Sequence, residues 1–339
     1  MRAIGARDYF PVDTEGCLEE FSIPIPSPEP RDLLIKVKAI AINPVDAKIR
    51  KSLKGKNLVA PRILGVDAAG VVQAIGSEVT GFQAGDEVFY AGDVTRSGSN
   101  AEFQIVDERL VAKKPTGWSF SDSAALPLVA ITAWELLFER MGVDSNGSDQ
   151  GKAILIINGA GGVGSALIPL ARKAGLTVVA TASRPVTQDW CISLGAHHVI
   201  NHHTALLPQA EAIGFRDFPL IANLSDTENY WETTSEMLAP LGTLGLIVET
   251  SRPMDIGNPF RLKSPRIVWE YMPARSMHRT QDMGRQGEIL REIAQRCDAA
   301  TFPNIVTRTF DRITVENLLE GHRAMESGTA HGKWTFAGW

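Results

Sequence analysis

The run Ala153-Ile154-Leu155-Ile156-Ile157, followed at once by Gly159-Ala160-Gly161-Gly162-Val163-Gly164, constrains this chain more than any other stretch. An unbroken apolar run of this length predicts a strand covered on both faces, as in parallel sheets. Glycines directly after it predict a tight turn into a helix that starts around Ser165-Ala166-Leu167-Ile168. A residue without a side chain in that turn lets the backbone approach a pyrophosphate, and a later one lets the helix pack closely on the strand. The first N–H groups of the helix then face the phosphate unpaired. The plain alternative is a structural turn. Strand before, helix after and further strand–helix repeats weigh for dinucleotide binding. Pro169 inside the predicted helix removes one backbone bond and is expected to bend it.

Downstream of the turn the alternation continues. Leu176 to Ala182, His198 to Ile200, Phe218 to Leu224 and Thr243 to Val248 read as strands, with helical segments between them. Pro185 would start one helix and Gly195 would stop it. This spacing predicts a parallel, doubly wound sheet, and the fold class is α/β. The chain before about residue 120 reads differently, as short strands: Leu34 to Ala39 alternates, and Gly65 to Val72 and Asp86 to Tyr90 follow between glycine-rich turns. Ser119 or Ser121 can cap a helix reaching roughly to Arg140, and residues 146–149 read as a polar surface loop. After about residue 274 the pattern holds one amphipathic helix, Asp282 to Cys297, and two strand-like pieces that end at Lys333-Trp334-Thr335-Phe336.

Composition narrows the class. Hydrophobic residues make up 44% and charged residues 22%, a mixture that supports a core and argues against long disorder. With 34 basic and 39 acidic residues the net charge is -5, and no basic cluster offsets it, so nucleic acid is not an expected partner. The three cysteines lie far apart, which excludes a disulfide framework and paired metal ligands and fits a reducing compartment. The longest uncharged run, Ala153 to Ala171, is nineteen residues but holds Asn158, four glycines and Pro169, so no membrane span is expected. Arg2, Arg7 and Asp8 interrupt the start where a signal peptide needs apolar residues. The expectation is a soluble, cytoplasmic protein.

The end of the second strand of the repeat selects the dinucleotide. An NAD site usually carries an acid there, for the ribose 2′-OH. This chain reads Ala180-Thr181-Ala182-Ser183-Arg184, with no acid before Asp189. A hydroxyl followed by a guanidinium suits a 2′-phosphate, so NADP(H) is the expected cofactor, held by Gly159 to Gly164, Ser183 and Arg184.

Several stretches spread along the chain together carry a resemblance. They are Ile42-Asn43-Pro44-Val45-Asp46-Ala47-Lys48, Gly65-Val66-Asp67-Ala68-Ala69-Gly70, Gly85-Asp86-Glu87-Val88, Ala130-Ile131-Thr132-Ala133-Trp134, the glycine turn, Thr181 to Pro185, and Gly195 to His202. The chain resembles the medium-chain dehydrogenase/reductase superfamily in its zinc-free quinone oxidoreductase branch. The resemblance implies a mostly-β GroES-like catalytic domain from residues 1–124 and 275–339, with a Rossmann domain over 125–274. It further implies an active cleft between them, and a homodimer. Zinc-dependent relatives carry Cys at the position of Asn43 and His-Glu at the positions of Val66-Asp67, so no metal is expected. The pairs His197-His198 and His202-His203 could form a surface metal site, but ordinary strand-end histidines are the expected reading without a carboxylate or Cys nearby.

Removing hydride from an alcohol needs its oxygen ionised, which zinc does as a Lewis acid. An enone or quinone is already electrophilic and needs a hydride source with modest polarisation of its oxygen. NADPH-driven reduction of a quinone or an α,β-unsaturated carbonyl is therefore the expected chemistry. By resemblance, Asn43 would face the nicotinamide with an amide able to donate to substrate oxygen, and Lys48 would stabilise enolate charge or deliver a proton. A solvated lysine at a strand end is the alternative for Lys48. Asp67 could bind a water, orient Lys48 or serve a turn, and Tyr90 is a further proton donor or a core residue. The resemblance also implies that Thr132 touches the nicotinamide, that the Val248 backbone meets its carboxamide, and that His202 lies near the adenosine phosphate. His331 and Lys333 are expected on a surface turn. Two other readings stay open: a zinc-dependent alcohol dehydrogenase, and a non-catalytic NADPH-binding sensor or interaction protein.

Overall fold

The computed structural model describes every residue except 146 and 259. It divides into two compact units: residues 1–131 with 273–339, and residues 132–272.

The second unit is built on a six-stranded sheet in which every neighbouring pair is parallel. Its order is His198–Ile200, Thr177–Thr181, Ala153–Ile157, Phe218–Asn223, Leu238–Leu246, Arg266–Trp269. Counted along the chain this is 3-2-1-4-5-6, the doubly wound arrangement whose strand order reverses beside the first strand. Ala153–Ile157 sits in the middle with all five residues buried, as its unbroken apolar run predicts. Gly162–Lys173 follows as a helix that continues through Pro169, which leaves the Ser165 carbonyl without its i+4 donor. Pro185 occupies the first turn of the helix Pro185–Ser193, and Gly195 at φ 107° carries the chain out of it.

The first unit carries a seven-stranded, mostly antiparallel sheet. Val306–Phe310, Lys333–Ala337, Asp32–Ala41, Asp67–Ile75, Glu87–Ala91 and Val111–Lys113 lie side by side, and Phe103–Asp107 pairs with Asp32–Ala41. Its register aligns Thr335 with Ala41, Ala41 with Asp67, and Asp67 with Ala91. Asn43 continues just past the end of one of these strands, beside Lys333 at the start of its neighbour. Ile35, Val37, Ile40, Val88, Phe310 and Phe336 pack the core beneath.

Three local readings differ from the sequence expectation. The helix expected from residue 119 to 140 is broken into Phe120–Ala124, capped by the Ser119 hydroxyl accepting from Asp122 N, then Pro127–Trp134, then a π-helical stretch Glu135–Arg140. Pro127 cannot donate the bond that would continue the first segment. Lys48 lies on a helix, Pro44–Lys51, not at a strand end, because Pro44 pre-sets the first helical φ and the Asp46 carboxylate accepts from Asn43 N. A second unforeseen helix, Val315–Ser327, is capped by Thr314 and closed by Gly328 in the left-handed region, φ 66°. Of the polar loop expected over 146–149, residue 146 lies outside the described residues, and 147–149 are bends and turns. Among the described residues no helix is long and apolar enough to cross a membrane.

Candidate active site

The glycine turn of the second unit has the geometry its sequence calls for. Asn158 takes a left-handed φ of 65°, and its N–H donates to the Thr181 hydroxyl at 2.9 Å, which ties the turn to the end of the second strand. Gly159 N donates to Thr181 O at 3.0 Å. A Cβ on Gly164 would stand 2.4 Å from Gly159 O and 2.6 Å from Asn158 O, so only glycine lets the helix come this close to the turn. Gly161 is the N-cap and Gly162 the first helical residue, so the N–H groups of Gly162, Val163 and Gly164 have no intrahelical acceptor. Ala160 is buried beneath them.

Beyond the second strand, Ser183 is half-buried and Arg184 exposed. The Arg184 backbone is held by Thr187, whose hydroxyl accepts from Arg184 N at 3.1 Å and donates to Arg184 O at 2.8 Å. His202 is half-buried, edge-on to His203, and burial with the His203 charge lowers its pKa below the usual histidine range. Thr132 is buried in the helix Pro127–Trp134. Val248 follows the strand Leu238–Leu246, and its carbonyl accepts from the Thr227 hydroxyl at 2.6 Å.

In the first unit a buried polar cluster stands at the strand end. Lys333 is not on a surface turn: it is 3% exposed. Its ammonium donates to Asn43 Oδ1 at 2.5 Å, to Ile42 O at 3.0 Å and to Asp67 Oδ2 at 3.0 Å. Asp67 is fully buried, and its other oxygen accepts from Leu128 N at 2.7 Å. Asn43 Nδ2 donates to Asp67 Oδ2 at 2.8 Å and reaches Ala41 O only at 3.5 Å. Two expectations change here. Asn43 spends its amide inside this cluster instead of presenting it to a substrate oxygen, and Asp67 orients Lys333 and Asn43, not Lys48. Nothing in the local sequence of Lys333 marks it as buried; only its pairing beside Asn43 does so.

Tyr90 is likewise fully buried, with its hydroxyl donating to Gln104 Oε1 at 2.8 Å and burial pushing its pKa up. That is the core role, not the proton donor. Lys48 is exposed on the outer side of its helix, while Asp46 and Arg50 face inward.

Asp46 and His322, which the sequence reading does not place in the site, both pack beside Ile42, Asn100 and Leu318 in this unit. Burial pushes Asp46 up to about 7, aided by the Asp67 charge and opposed by the Asn43 N–H and Lys333. Burial, with Arg50 nearby, pulls His322 down to about 3, and among the described residues neither ring nitrogen has a hydrogen-bond partner. The two groups have opposite linkage. Asp46 binds its proton more tightly folded than unfolded, so its contribution to stability weakens as pH rises from about 4 to about 7. His322 binds its proton less tightly when folded, so its contribution weakens as pH falls from about 6.5 to about 3. Relative to the parent protein, Asp46→Asn should therefore lose more stability on acidification from pH 6.5 to 4.5, and His322→Leu less. Urea midpoints at the two pH values check this; the same shift in both variants would refute it.

The sequence matches the alcohol dehydrogenase GroES-like domain over residues 29–116 and the zinc-binding dehydrogenase family over residues 162–277. It is 40% identical over 337 residues to the zinc-type alcohol dehydrogenase-like protein of Staphylococcus aureus (strain COL), covering 98% of each chain. The crystal structure of a Rhizobium etli CFN 42 protein assigned as a zinc-dependent alcohol dehydrogenase is similar with a TM-score of 0.93 at 41% identity, covering 100% of this chain and 98% of that one. Over 212 residues, 60% of this chain and 52% of the relative, it is 39% identical to 2-methylene-furan-3-one reductase of Solanum lycopersicum.

These names imply zinc, and the residues do not fit it. Catalytic zinc takes three protein ligands drawn from Cys, His and carboxylate. Among the described residues no three such groups come together, and the oxygens of Asn43 and Asp67 already hold an ammonium. The coverage is nonetheless end to end, and the two units have the folds of the two matched domains. The chain belongs to the medium-chain dehydrogenase/reductase superfamily and is an oxidoreductase of that type, one of its zinc-type alcohol dehydrogenase-like members.

Proposed function

We propose that the protein is an NADPH-dependent, zinc-independent reductase of quinones or α,β-unsaturated carbonyls. The observation that carries this reading is the ammonium of Lys333 among Ile42 O, Asn43 Oδ1 and Asp67 Oδ2. A donor set already satisfied by a lysine leaves no place there for a Lewis acid that would ionise an alcohol, which favours a substrate that is electrophilic by itself. The name of the tomato relative describes such a substrate, a ring ketone conjugated to a methylene group.

The cofactor supplies hydride when bound. The residues of this chain do the rest. The N–H groups of Gly162, Val163 and Gly164 take pyrophosphate, and Ser183 with Arg184 takes the 2′-phosphate. Thr132 and the Val248 backbone orient the nicotinamide. Reduction of an enone adds hydride at the β-carbon and a proton at the α-carbon; Lys48, exposed on its helix, is the candidate to carry that proton or to hold enolate charge.

Arg184→Ala tests the cofactor assignment. Loss of a charge-assisted contact should raise KM for NADPH on the order of 10- to 100-fold and leave KM for NADH nearly unchanged. A parallel change in both would remove Arg184 from the 2′-phosphate. For the reaction itself, NADPH consumption is followed with 1,4-benzoquinone, 9,10-phenanthrenequinone and an alkenal, and NADP+ reduction with a simple alcohol, each with and without chelator. Chelator-resistant turnover of a quinone or the alkenal is expected, with kcat lowered in Lys48→Ala. Chelator-sensitive alcohol oxidation would overturn the proposal, and silence on every substrate would favour a cofactor-binding protein without turnover.

A further inference from the structure

The surroundings of Lys333 are those of a bound cation. Its Nζ has three N–H donors, and each has its own oxygen: a backbone carbonyl, a side-chain amide and a carboxylate. Lys333 is 3% exposed, Asn43 1% and Asp67 0%, so the set is closed to water. Asp67 is held by two further donors: its Oδ2 also accepts from Asn43 Nδ2, and its Oδ1 accepts from Leu128 N. Oxygen-only donors of this kind select hard or ammonium-like cations over zinc, which prefers nitrogen and sulfur. The set is also assembled from three distant parts of the chain, residues 42–43, 67 and 333, so a cation there joins two sheet strands to the entry of the helix Pro44–Lys51.

We infer that Ile42 O, Asn43 Oδ1 and Asp67 Oδ2 form a cation-binding site which the chain fills with its own Lys333, and that a free primary ammonium takes the site when that side chain is cut back. Lys333 is a positioning residue: its charge holds Asn43 and the Ile42–Pro44 entry in place. It needs no contact with substrate for that role. The bearing on turnover rests on the reductase reading above; the binding of a cation does not.

The experiment uses full-length Lys333→Ala with propylammonium chloride as probe, because propylammonium reproduces the three carbons and the nitrogen removed. Melting temperature should fall by ~5–10 °C in the variant, as expected when a buried pair loses one partner. At least half of that fall should be recovered with propylammonium. Propanol, the same size without charge, should recover little, and Asp67→Asn/Lys333→Ala should not respond to propylammonium at all. If kcat for quinone recovers in step with the melting temperature, Lys333 positions the catalytic machinery; recovery of stability without kcat would restrict the site to folding. Equal rescue by propanol, or none by propylammonium, would overturn the inference. Where Lys333→Ala does not fold, Asp67→Asn/Lys333→Met decides: a soluble double variant supports a charge-paired site, and an insoluble one refutes it. Failure of the wild type to reduce quinone would sink the proposed reaction while leaving the melting result intact.

Discussion

Under the NADPH reading proposed above, Gly164→Val lowers affinity for the cofactor by roughly 100-fold or more in a fluorescence titration, and it destabilises the protein by about 1–3 kcal/mol. The reason is backbone against backbone. A Cβ at this position meets Gly159 O at 2.4 Å and Asn158 O at 2.6 Å, and neither carbonyl can retreat without moving the turn. The first turn of the helix Gly162–Lys173 would lift from the strand Ala153–Ile157, and its N–H groups would no longer converge on one phosphate position. Gly117→Ala is the control, because among the described residues nothing lies within 4 Å of the added carbon. Retained NADPH binding in Gly164→Val would mean that the turn is structural only.

Asp67→Ala has the largest expected effect on stability, a loss of about 3–5 kcal/mol in urea denaturation. The truncation leaves Lys333 buried without its counter-charge and takes an acceptor from Asn43 Nδ2 and from Leu128 N. Removing both charges together in Asp67→Asn/Lys333→Met should recover much of this, since a buried pair is costly mainly when one half is missing. A single Asp67→Ala variant as stable as the parent would show that the cluster contributes nothing to holding these strands.

Legibility from the sequence followed the range of the interactions. The strand Ala153–Ile157, the glycine turn and the helix start at Pro185 are written in contiguous residues, because a buried strand, a close backbone approach and a fixed φ are each satisfied locally. The helix Val315–Ser327 had local signals as well, Thr314 before it and Gly328 after it, that weigh less when its apolar positions are interrupted by Glu, Gly and His. Pro127 dividing the expected 119–140 helix was equally legible, since a proline seldom sits in a helix interior.

Amino-acid order alone determined that this chain holds a parallel α/β unit with a tight glycine turn between its first strand and the following helix, and the resemblance identified Asn43 and Val66-Asp67 as the residues standing where zinc-dependent relatives carry ligands. The tertiary structure decided what Asn43, Asp67 and Lys333 do instead. Lys333 lies 290 residues from Asn43 in the chain, and its neighbours Gly332 and Trp334 give no sign that its charge is buried. Only the antiparallel pairing of Lys333–Ala337 with Asp32–Ala41, and of that strand with Asp67–Ile75, brings the ammonium among the three oxygens. A buried charge is tolerated only where a counter-charge and acceptors converge on it, and that convergence is a property of the sheet's register, not of any stretch of sequence.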